Sequence, residues 1–199
     1  MIKHVKQGNR TGVYGDGILD IDYPCTSDVL TFKAYKVWGS MFTRCHSKVG
    51  QKHNPAYHDC SICEEWKRFS VFLEWFKQNY ESGYALDKDI LIKGNKVYSP
   101  TACCFVPTEI NSLLTNRRNK RKGLLGTAKT RNNTFQAHVS RDGKIVHLGS
   151  FKTEEEAFYA YKQAKESYVK EVAERYYSQG RITEKVYNAL MNYKIEITD

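Results

Sequence analysis

A carboxylate and a carboxamide, set apart by a strand–turn–strand–helix pattern, are the first residues in this chain with a chemistry of their own. The stretch Leu86-Asp87-Lys88-Asp89-Ile90-Leu91 has strand character, and Gly94-Asn95 supplies a turn. Val97-Tyr98-Ser99-Pro100 then reads as a second strand, and Asn111 falls on the helix that follows. Asp87 and Asn111 both offer oxygen ligands, the donor type that suits one hard divalent cation. A second constellation is built on sulfur: Cys60-x-x-Cys63, with Cys45 upstream and Cys103-Cys104 downstream. Thiolates so spaced suit a structural Zn2+, with packed free thiols as the competing reading.

The strand–turn–strand–helix pattern resembles the ββα-metal core of the HNH endonucleases, in the divergent form common in phage-encoded homing-type enzymes. The wider run that carries the resemblance is Trp38-x-x-Met41-x-x-Arg44-Cys45, Tyr57, Cys63-x-x-Trp66-x-x-Phe69-x-x-Phe72, Leu86-Asp87, Tyr98-Ser99-Pro100 and Cys103. It covers residues 33 to 116. The resemblance implies Mg2+ or Mn2+ held by Asp87 and Asn111, polarising the scissile phosphate and stabilising the leaving oxygen. It also implies cysteines at positions 45, 63 and 103. One departure concerns the reaction itself: Lys88 stands where such an enzyme carries its general-base histidine. Lys88 acts as a base only with a strongly lowered pKa, and its easier role is phosphate binding. His58, His53 or His46 could supply an imidazole from the preceding loop.

These residues must be positioned by the rest of a 199-residue chain, long enough for one sizeable core or two small ones. Lys and Arg number 31 against 22 Asp and Glu, a net charge of +9 that favours a polyanionic partner, most simply nucleic acid. No apolar run reads as a signal peptide or a membrane span, so a cytoplasmic location, in a bacterial host if phage-encoded, with reduced thiols is expected. Residues 1 to 32 read as a glycine-punctuated lead-in or hairpin. Apolar residues at helical spacing predict a helix over residues 32 to 48, and a polar loop follows to residue 59. A second amphipathic helix spans residues 63 to 80, with Trp66, Phe69, Phe72 and Phe76 on one face.

Residues 117 to 123 hold Arg117, Arg118, Lys120, Arg121 and Lys122 with no acid, which marks a basic linker. Beyond it, strand-like segments occupy residues 125 to 130, 135 to 141 and 145 to 151, with Asp142-Gly143 as a strong hairpin signal. Thr153 and Glu156 form a capping box for a helix whose stripe is Ala157, Ala160, Tyr161, Ala164, Tyr168 and Val172, and Gly180 lies past its end. A last short helix starts after Thr183.

This second half resembles the plant ethylene-response-factor (APETALA-type) DNA-binding domain over residues 123 to 170. The residues that carry the resemblance are Gly126, Phe135-x-Ala137-x-Val139, Gly143-Lys144, Leu148-Gly149-x-Phe151, Thr153-x-Glu155-Glu156-Ala157 and Ala160-Tyr161. The resemblance implies a sheet that enters the major groove with a helix close behind it. Strand alternation turns Phe135, Ala137 and Val139 inward, and Gln136, His138 and Ser140 outward. Lys129, Arg131, Arg141, Lys144 and His147 are expected around that outer face, and Gln and Arg are side chains that can read bases or bind phosphates.

The chain is therefore expected to be an α+β protein, an HNH-like ββα-metal domain over residues 33 to 116 followed by a three-stranded antiparallel sheet packed on one helix over residues 124 to 199. The expected function is metal-dependent, site-directed cleavage or nicking of double-stranded DNA. The alternative is a catalytically inactive relative that binds DNA as a regulator or inhibits a host or competitor factor, with a host or phage protein as a further partner.

Overall fold

Asp28 starts the first long element, because its carboxylate accepts the orphan N–H of Thr31 at 2.8 Å and the Thr31 hydroxyl at 2.6 Å. Helix α1 (Val29–His46) then carries Ala34, Trp38, Met41, Phe42 and Cys45 along one buried stripe. The computed structural model describes residues 10–13, 15–54, 57–114 and 123–198. The chain divides into two compact units, Met1–Thr108 and Glu109–Asp199.

In the first unit, strands β1 (Arg10–Val13) and β2 (Gly17–Leu19) form an antiparallel pair. Leu19 and Ile21 join the core, so part of the glycine-punctuated lead-in is built into this unit. Helix α2 (Lys48–His53) follows α1 where a polar loop was expected. Its start is local chemistry rather than periodicity: the Ser47 hydroxyl accepts from Gly50 N at 3.1 Å. Strand β3 (Ser61–Ile62) leads into a 3-10 turn at Glu64–Lys67 and helix α3 (Phe69–Asn79), so the expected continuous helix from 63 to 80 is broken at Arg68. Asp20 caps α3 across the unit, accepting from Ser70 N at 2.8 Å, Ser70 Oγ at 2.7 Å and Arg68 Nε at 3.0 Å. The core is aromatic: Trp38, Phe42, Trp66, Phe69, Phe72 and Phe76 are fully enclosed, and the Trp38 indole donates to the Trp66 carbonyl at 2.7 Å.

Three further strands complete this unit. β4 (Tyr84–Asp87) pairs antiparallel with β6 (Cys104–Pro107), whereas β5 (Val97–Tyr98) pairs in parallel with β3. This corrects the expected fold class. The strand after the Gly94-Asn95 turn is not the hairpin partner of the Asp87 strand. Helix α4 (Thr108–Leu114) belongs from Glu109 onward to the second unit. Across the described residues there are six α-helices and four sheets, three of two strands and one of three, rather than one ββα domain plus a sheet on a single helix. The cause is legible at Asp87. Its carboxylate takes the N–H groups of Asp89 and Ile90, both at 2.8 Å, which curls the chain out of the ladder before a second strand can zip back along it.

The second unit is built on an antiparallel sheet ordered β7 (Thr127–Lys129), β8 (Phe135–Arg141) and β9 (Lys144–Phe151). Asp142 and Gly143 join β8 to β9 with φ of 49° and 74°, the paired left-handed conformation of a tight hairpin turn. Helix α5 (Glu154–Ser178) opens on a complete Thr153/Glu156 capping box and packs Ala157, Phe158 and Tyr161 against Ala137 and Val139. Gly126 has φ of 72°, and a Cβ there would lie 2.1 Å from the Tyr161 ring, so only glycine lets the chain pass the helix. Helix α6 (Glu184–Met191) packs against α5, and Ile195 joins the core that Ala137, Val139 and Phe158 form. No helix of the described residues is long and apolar enough to cross a membrane.

Candidate nucleic-acid interface

Of the residues expected to cut DNA, Asp87, Lys88 and His58 lie in the first unit and Asn111 in the second. Burial pushes the Asp87 carboxyl up to about 6, with the neighbouring Asp89 charge adding to the effect. One of its oxygens already serves the turn described above. Lys88 is only 7% exposed, and its Nζ donates to Asp89 Oδ2 at 2.9 Å and Asn95 O at 3.1 Å. Desolvation works against the Lys88 charge, but those bonds and the Asp89 charge outweigh it and raise the pKa. Both bonds tie Lys88 into a loop in which Asn95 Nδ2 also donates to the carbonyls of Lys88 (2.6 Å) and Val97 (2.7 Å). His58 is exposed in a turn.

The metal expectations are corrected too. Among the described residues no group of three or more His, Cys, Asp and Glu side chains is placed to hold a metal ion, which removes both the Mg2+ or Mn2+ site at Asp87 and Asn111 and the Zn2+ site. Cys45, Cys60, Cys63 and Cys103 are reduced cysteines, in no disulfide, packed in or against the aromatic core. Burial pushes the thiols of Cys45 and Cys103 up to about 12 and raises those of Cys60 and Cys63, the opposite of what a thiolate ligand needs.

The sheet of the second unit arranges its residues differently. Strand register places Gln136 opposite Ala128 and Ser150, His138 opposite His147, and Ser140 opposite Ile145. Ala137 and Val139 are buried against α5, so these side chains share the outer face. An irregularity after Ala137 leaves Leu148 as an extra residue: Leu148 packs toward the core while His147 stays outside. The His138 and His147 rings are 5.1 Å apart between centroids.

Not every expected contact residue belongs to this face. Arg141 alternates with His138 and Ser140 onto the helix side, where it bonds Glu171 at 2.5 Å and lies 4.9 Å over the Tyr168 ring. Lys144 faces Arg141 across the hairpin and is exposed. Lys129 is exposed beside Phe135, with Nζ 6.0 Å from the ring centroid, and Arg131 is exposed in the following turn. Arg117, Arg118, Lys120, Arg121 and Lys122 lie outside the described residues.

Sequence reasoning overlooked Lys165. It is 8% exposed on the inner stripe of α5, four residues after Tyr161 and three before Tyr168. A charged residue interrupting an apolar stripe at helical spacing was the available signal.

Compared with known proteins, the chain matches no family model, no curated protein and no solved structure.

Proposed function

We propose that the protein binds duplex DNA through the outer face of β7, β8 and β9 and acts by occupying its site, as a regulator or as an inhibitor of a host or competitor factor. The observation that carries this reading is the outer face itself, where Gln136, His138 and His147 stand on a sheet backed by α5, with a bulge that keeps His147 outside. A sheet of this kind can enter a major groove about 12 Å wide, and Gln pairs bidentately with adenine there. The net charge of +9 supplies the sequence-independent attraction to phosphates. Occupancy is favoured over hydrolysis because Lys88 is bonded inward and no metal-holding group converges among the described residues.

The test is titration of a mixed-sequence duplex into the full chain, read by fluorescence anisotropy over a range of salt. Changing Gln136, His138 and His147 together to Ala should weaken binding roughly tenfold or more, given about 1–3 kcal/mol for each good base contact. Equal affinity of variant and wild type would remove the sheet from the interface. Supercoiled plasmid incubated with the protein and Mg2+ should stay intact, and cutting beyond an EDTA control would restore the nuclease reading.

A further inference from the structure

Lys165 is an unusual residue to find enclosed. An ammonium loses several kcal/mol of hydration on burial and is normally met by a carboxylate or by carbonyls. Lys165 is 8% exposed, and among the described residues it has neither a hydrogen bond nor an ion pair. Its side chain lines a cleft of about 800 Å3 in the second unit, between α4, α5 and the β8–β9 hairpin. That volume is in the range of small-molecule sites.

The acidic groups on the same cleft do not answer the Lys165 charge. Glu109 is bonded to Arg175 at 2.6 Å and to the Tyr176 hydroxyl. Asp142 accepts the Tyr168 hydroxyl at 3.0 Å, and its backbone N–H donates back to that oxygen. Each carboxylate is therefore engaged by its own donors, and the amine is left over. Desolvation lowers the Lys165 pKa, as expected of an ammonium with no counter-charge.

We propose that this cleft binds a small molecule carrying an oxyanion, a phosphate or a carboxylate, whose charged group pairs with Lys165. The ligand supplies the counter-charge that the fold withholds, and the Tyr161 and Tyr168 side chains on the same helix face give its remaining atoms an aromatic wall. A small ligand is required because an amine this enclosed is out of reach of a polymer backbone. The inference is independent of DNA binding.

The probes are inorganic phosphate and acetate, each titrated into the full chain against sodium chloride of equal ionic strength. Thermal unfolding should show a saturable rise in Tm with at least one of the two anions and none with chloride. A response to phosphate alone assigns a phosphoester-type ligand, to acetate alone a carboxylic acid, and to both the shared chemistry. Lys165→Met should lose the response and, without ligand, melt higher than wild type, because the buried charge is gone. Carbon-13 methylation of the wild-type lysines gives a readout that needs no variant: the Lys165 resonance should move with the bound anion. Absence of any anion-specific rise, an unmoved Lys165 resonance, or an unchanged response in Lys165→Met would each overturn the site.

Discussion

The two enclosed lysines among the described residues, one in each unit, are nearly equal in burial and opposite in chemistry. Lys88 is 7% exposed and Lys165 8%. Lys88 meets a carboxylate at 2.9 Å and a carbonyl at 3.1 Å, and its pKa rises. Among the described residues Lys165 meets neither, and its pKa falls. Burial alone therefore does not say what a lysine is for. The Lys88 amine is met by a counter-charge and a carbonyl, two of its three possible hydrogen bonds, and both help to hold a loop. A buried amine without partners costs stability.

The strongest way to break the comparison is to disturb one side of it alone. Gly126→Ala would drive a methyl into the Tyr161 ring at a position with φ of 72°, beside the Lys165 cleft and in the other unit from Lys88. It should cost on the order of 3 kcal/mol or more in denaturant unfolding. Wild-type stability in this variant would mean that the approach of Gly126 to α5 is looser than described.

Lys88→Met should come next. It leaves the Asn95 carbonyl without its buried donor and frees the half-exposed Asp89, for a loss of about 1–3 kcal/mol after allowing for water at Asp89. A neutral or stabilising Lys88→Met would make the two lysines alike and dissolve the contrast.

Asp87, the neighbour of Lys88, gives a pH test. Its carboxyl rises from an ordinary 3.8 to about 6, so between these values the folded chain keeps a proton that the unfolded chain has released. Stability should therefore fall as pH rises through that window, by about 1–2 kcal/mol for this part-exposed group. Asp87→Asn should flatten that slope in urea titrations, and an unchanged slope would assign it to another carboxylate.

The smallest effect is on Lys165 itself. Lys165→Met should gain about 1 kcal/mol near neutral pH. Because the folded pKa of Lys165 is lowered from 10.5, the wild type recovers stability as pH climbs toward 10.5, and the gap to Lys165→Met should narrow. The Lys88 contribution has the opposite sense: its raised pKa keeps it complete below 10.5 and lost only above that. Parallel pH profiles for the two methionine variants would show that the lysines do not differ as described.

Much of the local structure was legible residue by residue. Thr153 and Glu156 announced α5, Asp142-Gly143 announced the β8–β9 hairpin, and the stripe of Trp38, Met41 and Cys45 announced α1. These signals act between residues a few positions apart, and local hydrogen bonds and side-chain period suffice to express them. The candidate site was less legible. Gln136 and His138 followed from alternation, but Arg141 left the outer face because its alternation partners are Val139 and Ala137, and Glu171 waits on the helix side.

What the sequence by itself determined, then, is where helices and turns begin, which strand residues face inward, and the excess of positive charge. Only the tertiary structure decided that Ser61 pairs with Val97 and Asp87 with Cys104, that Lys88 is enclosed with partners, and that Lys165 is enclosed without them among the described residues. Two-residue strands have too little pattern to name their mate across thirty-six positions, and a lysine's letter does not say whether a carboxylate from a distant turn will reach it. Those outcomes rest on packing between segments far apart in the chain, where loop-closure entropy and desolvation decide and local propensity is silent.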